Sequence, residues 1–376
     1  MDEAFICSNP PALTRFVSYL TVFLWALPFG TRAQFKQSIP AEHLSPRGNI
    51  AIGLLLPDQS HLKVSNAAEL AIQEANAAGG YKQHDFELII RTAEGFWGAG
   101  SKESVSLVFE DHVRAIIGSL DGRNGHLAEQ VATKSHLTYI ETYATEPTLS
   151  QAFVPWFMRV VPNDDQQSEV ITGQILKEGG ENIGILSIET YDTRYAVRSL
   201  SKAVARKSEI APLLISLDPS NIQLQEIVDR IDSHRIDHLI LPFDAPYLTE
   251  LIKQLRSQNP DLKIYGTLHL CMGIESRNVS WEAYEGVYLT AYPYNREVYQ
   301  SLSNCHSAYL YDAVRLVINA IHQVGTERET LTDYISRSTY SKGSTGTISF
   351  DELGNRQSIP SLLRIENGAL QLIHHP

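Results

Sequence analysis

No GxSxG elbow, HExxH pair, GxxxxGKS/T loop or GxGxxG turn occurs in the 376 residues, so the common signatures of hydrolases, zinc peptidases, phosphate-loop enzymes and dinucleotide enzymes are all missing. Positive charge is scarce. Lys plus Arg total 31 against 43 Asp plus Glu, and a net charge of −12 repels phosphate backbones, which argues against nucleic acid as a partner. Cysteine is rarer still, with Cys7, Cys271 and Cys305 alone. Beyond residue 34 no apolar run approaches the 18 residues of a membrane helix, so the mature chain is expected to be soluble.

The first 34 residues differ from the rest. Arg15 leads an apolar run over 16–29, interrupted by Pro28 and too short for a comfortable membrane span. The small residues Thr31 and Ala33 then suit cleavage before Gln34. We read residues 1–33 as a secretory signal, which places the mature protein outside the cytoplasm, in a periplasm. Cys7 precedes the apolar run and does not support a lipoprotein site. Asp2, Glu3, Arg15 and Arg32 cancel, so cleavage leaves the net charge unchanged.

What remains alternates strands and helices. The block Asn49 to Pro57 is apolar and stopped by proline, as a strand buried on both faces should be. The stretch Asn66 to Gly80 is rich in helix formers and ends on glycines. The pattern predicts strand 85–91, helix 101–112, strand 113–118, helix 123–134 and strand 137–141. A second series predicts strand 182–188, helix 192–207, strand 212–217, helix 221–234, strand 236–242, helix 246–257 and strand 262–267. Such alternation implies α/β lobes with parallel sheets, and the length implies two of them. The last quarter holds strand 286–291, helices near 305–323 and 329–336, and strand 359–365. It is too poor in apolar sequence for a third core, so the chain must cross between lobes more than once.

With Gly53 to Pro57, Asn76 to Gly80, Ala115 to Gly118, Tyr143 to Leu149, Arg159 to Asp164, Tyr311 to Val314 and Thr345 to Asp351 in this order and spacing, the sequence resembles the type I periplasmic binding proteins. The leucine/isoleucine/valine-binding subgroup is the most similar. The resemblance runs from about residue 48 to 370. It implies two Rossmann-like lobes, 48–161 with 291–342 and 162–290 with 343–376, joined by crossovers near 161, 290 and 342. It also implies a monomer that binds a small polar metabolite, an amino acid or related compound, and delivers it to a membrane ABC permease. A sensory module is the alternative, an enzyme is less expected without a catalytic constellation, and no cofactor is expected.

Ligands of open α/β sheets lie beyond the carboxyl ends of the strands, where helix N-termini offer free N–H groups. That points to loops after 118, 141, 188, 242 and 267. In the first, Ser119, Asp121, Gly122 and Arg123 and their amides can face a ligand, or the glycines can form an ordinary connection. By resemblance Gly122 stands where the family carries a carboxylate-binding serine, which is absent here. Tyr143, Ala144 and Thr145 match a family loop that presents backbone groups and a hydroxyl, although a threonine there can equally cap a turn. By resemblance Tyr195 faces the ligand, although an aromatic can equally pack helices, and Tyr247 stands where amino-acid binders carry an acid. Asp244 can take the acid's role, or cap helix 246–257. Trp97 can cover an apolar ligand part or pack locally.

Only Cys271 and Cys305 survive cleavage, and in an oxidising compartment they can bridge. His269, Cys271, Cys305 and His306 form a formal Cys2His2 set, but neither a CxxC nor an HxxxH spacing supports zinc.

Overall fold

The computed structural model describes residues 39–94, 98–118, 121–208, 211–295, 299–302 and 304–374. The signal segment, Trp97 and Ser119 lie outside the described residues. In chain order the first elements are β1 (Ile50–Leu56), α1 (Ser65–Ala77), β2 (Phe86–Thr92), α2 (Ala99–Phe109), β3 (Ala115–Gly118), α3 (Gly122–Lys134), β4 (Thr138–Glu141), α4 (Thr148–Gln151) and β5 (Phe157–Arg159). Their strands form one parallel sheet in the order β2-β1-β3-β4-β5. All seven residues of β1 and all four of β3 are buried, which is why these strands read as unbroken apolar runs.

The chain continues through α5 (Asp164–Lys177), β6 (Ile183–Ile188), α6 (Tyr191–Ser208), β7 (Leu213–Leu217), α7 (Leu224–Ser233), β8 (His238–Leu241), α8 (Leu248–Gln258), β9 (Lys263–Gly266), α9 (Leu268–Ser276) and β10 (Tyr288–Ala291). It then forms α10 (Cys305–Val324), α11 (Arg328–Arg337), the hairpin β11 (Tyr340–Gly343) and β12 (Gly346–Ile348), β13 (Ser361–Glu366) and β14 (Ala369–His374). The second sheet runs β14-β13-β10-β9-β8-β6-β7. Its strands β6 to β10 are parallel as expected, but β13 and β14 add on antiparallel. A short hairpin turn, with Asn367 and Gly368 at positive φ, joins that last pair and leaves no room for a crossover helix.

Helix α10 packs on α1 and β3, and α11 on α10 and β4, so both return to the first sheet. Three crossovers follow: from β5 to α5, from β10 to α10, and from β12 to β13. They are tied together by buried polar groups. The Arg159 amide donates to the Gly354 carbonyl at 2.8 Å and the Arg356 amide to the Arg159 carbonyl at 3.2 Å. The Arg356 guanidinium lies 3.9 Å from the Tyr292 ring centre and donates to the Thr345 and Thr347 carbonyls. Asp312 on α10 accepts the Ser344 and Thr345 amides at 2.6 and 3.0 Å and the Thr345 hydroxyl at 2.6 Å.

Candidate functional site

Where the carboxyl ends of the two sheets face each other lies a cavity of about 300 Å³. From the first lobe come His61 and Val64, on the turn after β1, and Tyr143, after β4, together with His306 in the first turn of α10. The loop after β6 and the start of α6 bring Ile188, Thr190, Asp192 and Thr193. Phe243 and Asp244 follow β8, and α9 contributes His269, Met272, Gly273 and Ser276. Among the described residues no lysine or arginine lines this space.

Its aromatic wall is uncharged. The Tyr143 ring lies 5.2 Å from His269 and 5.4 Å from His306, centre to centre. Burial lowers His269 to about 4 and His306 to about 3, the second helped by the neighbouring His61 and His269, so both imidazoles are neutral near pH 7. The His269 ring hydrogen-bonds the Tyr143 backbone, while its buried Nε2 has no hydrogen-bond partner. Burial also pushes the Tyr143 phenol up to about 12.

The amides expected to receive a ligand are held by the protein's own carboxylates. Glu141 is fully buried at the end of β4, and its Oε1 accepts the Thr142, Tyr143 and Ala144 amides at 2.9, 2.8 and 3.1 Å. Its Oε2 accepts the Tyr139 hydroxyl at 2.5 Å. The Gly122 amide, in the first turn of α3, donates across the cleft to Asp192 Oδ1 at 3.0 Å. Asp192 is pushed up to about 7, by burial first and then by Asp121, Glu146 and Glu141 against the pull of the Gly122 amide. Asp121 caps α3 through the Asn124 amide.

The remaining candidates are placed as follows. Thr145 is buried and hydrogen-bonds the Asp164 carboxyl, which burial pushes up to about 7. Ala144 is buried, and its carbonyl accepts from Arg159 at 3.4 Å. Asp244 neither caps α8 nor stands free: it accepts Arg277 Nε at 2.8 Å and Nη2 at 2.5 Å. Gly273 makes that pair possible, because a Cβ there would meet Asp244 Cγ at 2.0 Å. Tyr247 is half-buried with an unpartnered hydroxyl and does not line the cavity. Tyr195 lines a different hollow with Pro147, Thr148, Arg198 and Lys202. Arg123 lies over the Tyr191 ring at 5.5 Å.

Cys271 and Cys305 are unbonded, with their Sγ atoms 3.8 Å apart. They join α9 to the start of α10, and Glu275 accepts the Cys305 amide at 2.7 Å. The four-residue zinc set does not assemble. Cys271, Glu275 and Cys305 are the one group of three such ligand atoms within 4.8 Å among the described residues, while His269 and His306 face the cavity. Residues two apart on a helix point about 200° apart, so His269 and Cys271 cannot share a site.

A family model described as the receptor family ligand binding region matches residues 63–361. The chain belongs to this family. Among relatives, glutamate receptor 3.1 of Oryza sativa subsp. japonica is 25% identical over 108 residues, which is 29% of this chain and 11% of that protein. The chain therefore corresponds to a small part of that receptor. A leucine-binding protein of Thermotoga maritima superposes with a TM-score of 0.72 at 17% identity, covering 87% of this chain and 99% of the other. A solute-binding protein of an ABC transporter from R. palustris, solved with benzoate, gives a TM-score of 0.73 at 15% identity over 87% and 96%. At these identities the likeness establishes the type I periplasmic binding fold. Among the described residues no helix is long and apolar enough to cross a membrane.

Sequence reasoning placed Tyr143 and Asp244 on the cavity's loops and missed His61, Asp192 and the α9 residues as lining. A signal existed for Asp192, which opens a helix directly after a strand terminus.

Proposed function

We propose that the chain is an exported, non-enzymatic solute-binding protein that captures a small polar metabolite between its lobes and hands it to a membrane ABC permease. The cavity carries this reading, because its walls come from the strand ends of both sheets and neither lobe alone can surround a ligand. Affinity then requires closure about the crossovers, with a lobe division at 48–161 plus 291–342 and 162–290 plus 343–376. A signal over 1–33 and a periplasmic, monomeric product complete the proposal.

The test is ligand-dependent stability and compaction. A ligand at 100 times its Kd adds about 2.7 kcal/mol of stability. Thermal unfolding against a panel of amino acids, amides, amines and aromatic acids should show such a shift, and small-angle scattering a smaller radius of gyration with the same compound. Stabilisation without compaction refutes closure. A second reading, a sensing module for a separate receptor, is supported by the description of the family and the plant receptor's likeness. Ligand uptake by vesicles carrying the permease separates the two.

A further inference from the structure

We infer that the ligand of this cleft is a small organic cation, an alkylammonium or similar amine without a carboxylate, whose charge rests on Asp192. The inference builds on the solute-binding reading and names the ligand class. Three observations converge on it.

First, a ligand carboxylate needs donors, and two sets offered by the fold are taken. Asp192 holds the Gly122 amide, and Glu141 holds the amides of Thr142, Tyr143 and Ala144. Second, the lining carries carboxylates and the neutral imidazoles of His269 and His306 but no Lys or Arg among the described residues. Asp244 is matched by the Arg277 fork. No cationic side chain pairs with Asp192 among the described residues; the charges that move its carboxyl most are the acids Asp121, Glu146 and Glu141, and the cationic His126, raised to about 9, is taken up by Glu129 and Glu146. A bound anion would face an uncompensated carboxylate in a partly dry space, whereas a cation would supply the missing partner. Third, His269 is neutral with an unpartnered buried Nε2, an acceptor when the other ring nitrogen donates to the Tyr143 backbone. Val64, Ile188, Phe243 and Met272 line the same space and suit an alkyl body.

The experiment is calorimetry and thermal unfolding of the full chain with propylamine, putrescine, agmatine and choline, beside leucine, glutamate and benzoate. At least one amine should bind, the carboxylates should not, and Asp192→Asn should weaken that amine roughly ten- to a hundredfold while the unliganded protein melts no lower. Asn keeps an acceptor for the Gly122 amide, and the wild-type panel decides the ligand class without any variant. Binding of leucine, glutamate or benzoate with no amine bound overturns the cation assignment and leaves the solute-binding reading standing. Amine binding that Asp192→Asn leaves unchanged overturns the role of Asp192. If no compound of either class binds or compacts the protein, both readings fall.

Discussion

Raising the pH should open the unliganded cleft, and Asp192 sets the size of the effect. In the described structure, with the Gly122 amide bonded to it across the cleft, its carboxyl is moved from an ordinary 3.8 to about 7, with burial as the main cause and the acids Asp121, Glu146 and Glu141 adding to it. Once the lobes part, water reaches the carboxyl and its affinity for a proton returns toward the ordinary value. Between pH 4 and 7 the closed form therefore holds a proton that the open form has lost, so closure weakens as pH rises. Of the roughly three-unit shift, about two units are lost between pH 5 and pH 8, each worth about 1.4 kcal/mol, so closure weakens by about 3 kcal/mol over that range. That is about a hundredfold in the ratio of closed to open molecules. Asp164, beside Thr145 across the same interface, is also pushed up to about 7 and acts in the same direction.

Small-angle scattering without ligand at pH 5, 6, 7 and 8 measures this directly. The wild type should be compact at pH 5 and expanded at pH 8. Asp192→Asn keeps the bond to Gly122 and removes its own share of the trend, and the double variant with Asp164→Asn should hold one radius throughout. A wild-type radius unchanged between pH 5 and 8, or a double variant that expands as the wild type does, refutes the reasoning.

Replacing Glu141 with Ala leaves three amides and the Tyr139 hydroxyl without their acceptor, and urea unfolding should show a loss of about 3–5 kcal/mol; a loss under about 1 kcal/mol shows that the loop does not depend on it. Gly273→Ala should cost roughly 1–3 kcal/mol by driving Asp244 off Arg277, and a crystal structure of the variant with that pair intact sinks the explanation. Cys271 and Cys305 are buried, and burial pushes the Cys305 thiol up, so native protein should label slowly with a thiol reagent and urea-unfolded protein quickly. Equal rates contradict the burial, and an intact mass two hydrogens lower shows that the pair has bridged.

The strands of the first sheet were legible because burial on both faces demands unbroken apolar runs, and β1 and β3 are buried at every position. Helix α9 was not. Its sequence, Leu268 to Ser276, is apolar nearly all round with Gly273 inside, so it shows no polar stripe against which to read a helical period. It nevertheless carries His269, Met272 and Gly273 into the cavity. Strand β14 stayed hidden because it is a six-residue edge strand whose adjacent apolar residues Leu372 and Ile373 are both exposed, so no alternation of buried and exposed positions marks it. The loops of the site followed from topology, which put Tyr143 and Asp244 on the cavity. What each side chain does there did not follow, because its partner is distant in sequence: Asp244 pairs with Arg277 33 residues on, and Gly122 meets Asp192 70 residues on.

Gly122 explains how a departure from the family pattern becomes locked in. The family resemblance puts a serine there, yet a Cβ at this position would lie 2.6 Å from Glu146 Cγ and 2.8 Å from Asp192 Oδ1. Neither neighbour can give way cheaply. Glu146 is fully buried, with Oε1 2.9 Å from His126 Nε2 and its other oxygen on Thr148, and Asp192 holds the Gly122 amide itself. A side chain at 122 would therefore break the bond that ties the lobes before it could add a hydroxyl for a ligand. The glycine and the two acids form one unit: the space a serine would fill is taken by Glu146 of the same lobe and by Asp192 from the opposite one. The binding fold is kept, while an amide that the resemblance assigns to a ligand carboxylate is held by the protein's own acid.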